Sequence, residues 1–134
     1  MTDAARSALV VNEAFIALGN DQFEAEGATF IRNHEIPDIW DANHLAHITA
    51  STSEEIDRLL ERVEREFAGC RHRRFDVDFR TPPAFEAHLT LESYERLDTL
   101  IMLLEGELAM TPKQHEIREV TDEAGWDAYT ALHD

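Results

Sequence analysis

The sequence predicts an α/β (α+β) fold, a mixed sheet with helices packed on its faces, and three observations carry that expectation. Between residues 44 and 104, segments of strand-like apolar patterning are separated by segments of helical spacing, in the order strand, helix, strand, helix, strand. One of the helical segments, 52–68, begins with a complete capping signal. The chain has 134 residues, 43 % of them hydrophobic, which is enough for a core of ordinary domain size.

Residues 4–18 carry Leu9, Val10, Phe15, Ile16 and Leu18, the pattern of a short amphipathic helix, and Gly19-Asn20-Asp21 ends it with turn-forming residues. Residues 27–33 alternate as a strand does, with Phe30 and Ile31 on opposite faces. Ile36-Pro37-Asp38-Ile39-Trp40-Asp41 reads as a loop, because proline disfavours helix at the residue before it. Residues 43–49 read as the next strand, with Leu45 and Ala46 on opposite faces.

In 52–68, Thr52 is the N-cap and Glu55, three residues on, completes a capping box. Ile56, Leu59, Leu60, Val63 and Phe67 form one stripe, with Leu60 expected to be fully buried. Glu54–Arg58 and Glu61–Arg65 are spaced for i,i+4 pairing, and Gly69 is placed for a left-handed C-cap. Phe75, Val77 and Phe79 then alternate with Asp76, Asp78 and Arg80, predicting a half-buried strand within 72–80. Thr81-Pro82-Pro83 opens a helix running to about residue 94, with Thr81 as its cap and Phe85 and Leu89 facing inward. Residues 97–104 are nearly all apolar, as expected of a strand covered on both faces.

Met110-Thr111-Pro112-Lys113-Gln114 reads as a linker, 116–120 as a strand, and 121–133 as a helix containing Trp126, Tyr129 and Leu132. A strand–helix unit this short cannot bury its own apolar face. The expected organisation is therefore a domain over 1–110 and an extension over 111–134, which either folds back on that domain or opens a second one.

Charge narrows the partners. The net charge of −16 comes from 28 acidic and 12 basic residues, with Lys113 the sole lysine. Such a surface repels nucleic acid and anionic membranes, so neither is expected as a partner. Cys70 stands alone, which excludes an internal disulfide and fits a reducing compartment. The first residues lack a basic region followed by an apolar run, and no apolar stretch approaches the ~20 residues of a membrane span. The expectation is a soluble cytoplasmic protein.

Three groups of residues are candidates for chemistry. His44 and His47, with His34, Glu35, Asp38 and Asp41 nearby, would share a metal if they lay on a helix. On the expected strand they fall on opposite faces, and no metal is expected. Arg71-His72-Arg73-Arg74 either receives an anion or balances Asp76, Asp78 and neighbouring glutamates; alternation across two faces favours balance. Cys70 has His72 close by but no further activating group, so it reads as a small buried thiol. With no nucleophile elbow, glycine-rich phosphate loop or repeated Cys/His spacing, no catalytic residue is assigned.

The element order resembles that of the GNAT (GCN5-related) N-acetyltransferase superfamily, and more closely the N-terminal GNAT-like domain of two-domain bacterial members. The resemblance is carried by Arg32-Asn33-His34-Glu35-Ile36-Pro37-Asp38-Ile39-Trp40-Asp41-Ala42-Asn43-His44, Arg71-His72-Arg73-Arg74-Phe75-Asp76-Val77-Asp78, and Thr81-Pro82-Pro83-Ala84-Phe85-Glu86-Ala87-His88-Leu89, and spans most of 27–108. Glu116-Ile117-Arg118-Glu119-Val120-Thr121 resembles the first strand of a second GNAT domain.

The resemblance implies an acyl transfer from acetyl-CoA to an amine, with the pyrophosphate held by backbone amides of a (Gln/Arg)-x-x-Gly-x-(Gly/Ala) loop. The matching positions here, Ala50, Ser51, Thr52 and Ser53, carry none of those residues, and Glu54, Glu55 and Asp57 crowd the helix start. The family's proton-donating tyrosine falls on Leu89, and its Gly-Phe pair on Ser93-Tyr94. The function implied is a domain lacking its own coenzyme A site, which acts as structural or regulatory partner of a catalytic acetyltransferase domain. That partner would be a second GNAT domain or another subunit, with a homodimer among the arrangements. The alternative is an active acyl-CoA-dependent N-acetyltransferase with an atypical cofactor loop.

Overall fold

The sheet is organised around a two-residue turn. The computed structural model describes residues 3–102, 106 and 119–131. Glu26 and Gly27 both adopt positive φ, 47° and 76°, as a type I′ turn requires, and they join β1 (Asp21–Ala25) to β2 (Ala28–Arg32). The register runs from Ala25 opposite Ala28 to Asp21 opposite Arg32. Phe23 faces Phe30 across the ladder, their rings stacked with centroids 5.1 Å apart. A side chain at position 27 would meet Thr49, since a Cβ there would lie 3.0 Å from its Oγ1. Glycine is needed at 27 for conformation and for space.

β3 (His44–Ala46) pairs antiparallel with β2, giving the order β1-β2-β3. The strand expected over 43–49 is cut to three residues because His47 takes a left-handed φ of 50°. Beyond it, Thr49 returns to the hairpin turn, its backbone N–H donating to the Gly27 carbonyl at 2.7 Å. On its other side Leu45 makes a single parallel bridge to Phe75. The N–H of Leu45 donates to the Arg74 carbonyl, and the N–H of Asp76 to the Leu45 carbonyl.

α2 (Ser53–Glu66) covers this sheet and has the predicted Thr52–Glu55 capping box. Ile56, Leu59, Val63 and Phe67 join Ala28, Phe30, Leu45, Ile48, Ala50 and Phe85 in one core. Leu60, expected at full burial, is only partly buried; Leu59 occupies the centre of the stripe with no exposed surface. Gly69 is not left-handed. The helix closes at Phe67 instead, and the N–H of Cys70 donates to the Phe67 carbonyl. The expected pairing of Arg58 with Glu54 gives way to a contact of Arg58 with Glu26, 3.6 Å away.

Residues 72–80 do not form the expected strand beyond the bridge at Phe75. Val77 and Phe79 are exposed, because turn chemistry takes over at Asp78. The Asp78 carboxylate accepts from the Arg80 N–H at 2.7 Å, and Thr81 Oγ1 accepts from the Asp78 N–H. Thr81 is thereby engaged upstream and does not cap α3 (Pro83–Leu91), whose N-cap is Pro82. Phe85 is buried and Leu89 partly buried, as predicted. The helix stops at Leu91, short of the expected 94, and Ser93 has a left-handed φ of 63°.

The strand expected over 97–105 is also absent where the structure describes it. Residues 97–102 are irregular, and Leu97, Leu100 and Met102 are exposed. Among the described residues no strand lies beside the apolar run to complete its backbone hydrogen bonds. Residues 103–105 lie outside the described residues.

α1 (Asp3–Ile16) forms close to its predicted bounds yet buries no residue. Glu13 ties it to the sheet, bonded to His47 Nε2 at 2.6 Å and paired with Arg80. The chain divides into two compact units, 1–103 and 104–134. In the second, α4 (Glu123–Thr130) is capped by the Asp122 carboxylate, which accepts from the Gly125 N–H. Trp126 and Tyr129 pack edge to face and are exposed. The predicted linker, most of the predicted strand at 116–120, and Leu132 fall outside the described residues. No helix among the described residues is long and apolar enough to cross a membrane.

Candidate functional site

The resemblance would put a coenzyme A site at the turn from β3 into α2, and two backbone donors there, Ser51 and Thr52, are already engaged. A helix start offers free N–H groups and the positive end of the dipole, which together favour an anion. Here the anion is the chain's own Glu55. One carboxylate oxygen, Oε2, accepts from the Ser51 N–H at 2.9 Å, the Thr52 N–H at 3.0 Å and Ser51 Oγ at 3.1 Å. The Ser51 and Thr52 N–H bonds, with the Ser51 hydroxyl, hold the Glu55 carboxyl well below its usual range, down to about 2. Thr52 Oγ1 in turn accepts from the Glu55 N–H.

Of the four positions matched to the pyrophosphate loop, Ala50 is buried in the core, while Ser51, Thr52 and Ser53 are exposed. Beside them lies a cavity of about 180 Å³ lined by Glu26, Gly27, Thr49, Ala50, Glu55 and Arg58. Small-molecule sites typically enclose ~300–1,000 Å³. Two carboxylates and one already paired arginine give this cavity an acidic wall. The residues present do not fit a pyrophosphate.

The structure separates the two candidate histidines. His44 is buried, with Nε2 3.6 Å from an Asp76 carboxylate oxygen and Nδ1 without a hydrogen-bond partner. Burial pushes its imidazole below the usual range, against the raising effect of Asp76. His47 is half-exposed and belongs to a different network. Its Nε2 meets Glu13, its Nδ1 lies 3.3 Å from Thr29 Oγ1, and that hydroxyl donates to Glu24. Glu13 also receives Arg80, which pairs with Asp78 as well. This network locks α1 and the Asp78 turn onto the β3 end; its hydroxyl is buried and already donating, which leaves no nucleophile.

The basic cluster at 71–74 is neutralised by its surroundings. Arg73 forms a two-pronged pair with Glu64, both contacts 2.9 Å, and Arg74 pairs with Asp76 and Asp41. Arg71 is the loosest, 3.5 Å from Asp38 and largely exposed. Cys70 is half-buried, and burial raises its thiol, the opposite of nucleophilic activation. Leu89, which the resemblance matches to a proton-donating tyrosine, is partly buried against the core.

The segment 33–43, loop by its sequence pattern around Pro37, is ordered by side-chain hydrogen bonds. Its organiser is Asn43, buried at the start of β3. Asn43 Oδ1 accepts from the Asn33 N–H at 3.0 Å, and Nδ2 donates to the carbonyls of Ile36 and Ile39 at 2.9 and 3.1 Å. Asn33 Oδ1 accepts from the Glu35 N–H, and its Nδ2 donates to Asn20. Asparagines at both ends of a proline-containing loop are the signal that points to it, since this side chain can satisfy backbone groups on both sides. The loop holds Ile36, Ile39 and Trp40 outward, 43 %, 52 % and 53 % exposed. The Trp40 ring leans over His72 at 5.9 Å, and His72 Nε2 donates to the Asn43 carbonyl.

No protein-family model, curated protein or solved structure matches the chain.

Proposed function

We propose that this chain is a GNAT-like domain that does not hold coenzyme A itself and serves as structural or regulatory partner of a catalytic acetyltransferase domain, on a second GNAT domain or another subunit. The observation that carries the reading is the Glu55 carboxylate seated on the Ser51 and Thr52 N–H groups. The place that the resemblance matches to a pyrophosphate cradle is filled by a covalently attached anion, and a second anion would meet Glu26 across the same small cavity. The Cys70 thiol is raised, Arg73 is paired with Glu64 and the buried Thr29 hydroxyl is already donating, so none of these three is poised for chemistry. The acidic surface makes nucleic acid and anionic membrane poor partners, and the single cysteine suits the cytoplasm.

Thermal unfolding with and without millimolar acetyl-CoA tests this. A ligand at a hundred times its dissociation constant would add ~2.7 kcal/mol and a clear rise in Tm. No shift is expected. A rise of several degrees would replace this reading with the alternative, an active N-acetyltransferase using an atypical cofactor loop.

A further inference from the structure

We propose that His44 is an acid-operated latch: taking up a proton on its buried ring opens the seam between β3 and residues 74–76 and frees the outer edge of the sheet.

The seam is short. Its backbone bonds are two, from the Leu45 N–H to the Arg74 carbonyl at 3.0 Å and from the Asp76 N–H to the Leu45 carbonyl at 2.7 Å. Among the described residues, the parallel bridge of Leu45 to Phe75 is what covers β3 on the side away from β2. Arg74 reinforces it, donating from Nε to Asp76 at 2.8 Å and reaching Asp41 near the end of the 33–43 loop. One guanidinium thus ties the loop to the seam.

His44 sits under this tie. Leu45 joins the core, so His44 beside it points to the opposite face of the sheet, yet only 3 % of His44 is exposed. Asp76 and Arg74 face its ring from the seam and Asp41 from the loop, while its pair on β2 is the apolar Ile31. His72, on the same stretch as the seam, is engaged with the Asn43 carbonyl. Nδ1 of His44 has no hydrogen-bond partner, and Nε2 stops 3.6 Å from the Asp76 carboxylate that Arg74 already holds. Closing the seam therefore strips water from this imidazole without replacing it, and opening restores water to both nitrogens.

A proton sharpens that asymmetry. In the closed seam the imidazolium would be cut off from water and would stand beside Arg74. Burial outweighs the pull of Asp76 and Asp41, and holds the ring below its ordinary 6.5. In the open seam the ring meets water and titrates as an ordinary histidine. The open form binds the proton more readily, so closure is strongest above about pH 6.5 and weakens as pH falls below it. Two backbone bonds can part as a local unit while α2 stays folded. Opening leaves the N–H and carbonyl of Leu45 unpaired on a strand edge, the state in which a sheet accepts another strand.

Hydrogen exchange on the full chain tests this, read as protection factors between about pH 7.5 and 5. The Leu45 and Asp76 amides should lose about tenfold in protection, and the Val63 and Phe67 amides of the α2 region should lose none. His44→Phe should hold the two seam amides constant across that range, whereas His47→Gln and His72→Gln should lose protection as the parent does. In the parent, the His44 ring resonance should titrate below about 6.5, a readout that requires no variant to fold. The proposal is overturned if the seam amides do not respond to pH, if α2 loses protection equally, or if His44→Phe behaves as the parent. It is also overturned if His47→Gln or His72→Gln abolishes the response, or if the His44 ring titrates at or above the ordinary value.

Discussion

α1 and α2 are each fourteen residues long, and they are held in opposite ways. α2 places Ile56, Leu59 and Val63 against the sheet with little or no exposed surface, and its first turn is closed by a reciprocal cap. α1 carries apolar residues at helical spacing too, yet Val11 and Phe15 are 68 % and 73 % exposed, and Glu13 ties the helix to His47 and Arg80. The contrast teaches that periodicity selects a helix but not its docking. A stripe is buried only where the opposing layer offers a surface of matching shape, and α2 meets the inner face of β2 and β3. α1 meets a charged network at the end of β3, so ion pairs replace packing.

The largest expected effect tests that contrast directly. Leu59→Ala should cost ~2–5 kcal/mol in urea unfolding, as deletion of a fully buried leucine does. Phe15→Ala on α1 should stay within about 0.5 kcal/mol, as surface changes do. Comparable losses at both positions would show that α1 is packed as α2 is, and the contrast would fall.

Gly27→Ala comes next. It forces a side chain into positive φ and against Thr49, and should cost ~1–3 kcal/mol. The loss should appear as a lower midpoint of the whole transition, since the turn positions both β2 and the start of α2. A neutral result would mean the sheet does not depend on this turn.

Thr52→Ala should cost ~1 kcal/mol by removing one half of the capping box. Hydrogen exchange should rise at the first turn of α2 while α1 stays unchanged. Equal changes in both helices would mean that the cap acts on the fold as a whole and not on its own helix.

The smallest effect is the acid dependence contributed by Glu55. Its folded value of about 2 lies below the ordinary 4.5, so the stabilisation is fully present above the unfolded value and drains away as pH falls towards 2. The group is exposed, so solvent screening keeps the contribution modest. Glu55→Gln should flatten the stability profile between about pH 4.5 and 2 and leave α1 exchange untouched. A slope in that window unchanged from the parent would remove Glu55 as its source.

The sequence reads most clearly where one local signal acts alone. The Thr52–Glu55 box, the α2 stripe and the inward faces of Phe85 and Leu89 all follow from spacing of three and four. It reads least clearly where alternation competes with side-chain hydrogen bonds. Phe75, Val77 and Phe79 alternate as a strand should, but Asp78, Arg80 and Thr81 bond to nearby backbone and fold the segment into a turn. β1 is hard to read because the turn-forming Gly19-Asn20-Asp21 runs into its first residue, although Phe23 and Ala25 alternate and Gly27 marks the hairpin. At the candidate site, the acidic helix start was legible and the specific grip of Glu55 on two N–H groups was not. Ordering of the 33–43 loop depends on Asn43 reaching Asn33 across ten residues, which no periodicity shows.

The Glu26–Gly27 turn also sets an order of assembly. Ala25 and Ala28 meet across a two-residue loop, whereas Leu45 and Phe75 meet only after the twenty-nine residues between them have been gathered. Closing the short loop sacrifices little chain entropy, and hairpins form in ~1–10 μs. The distant bridge must wait for α2 to fold and carry the chain back alongside β3. In stopped-flow measurements, Gly27→Ala should therefore slow refolding, and Phe75→Ala should mainly speed unfolding. The residue that permits the tightest bend would then set the pace at which the rest of the domain closes around it.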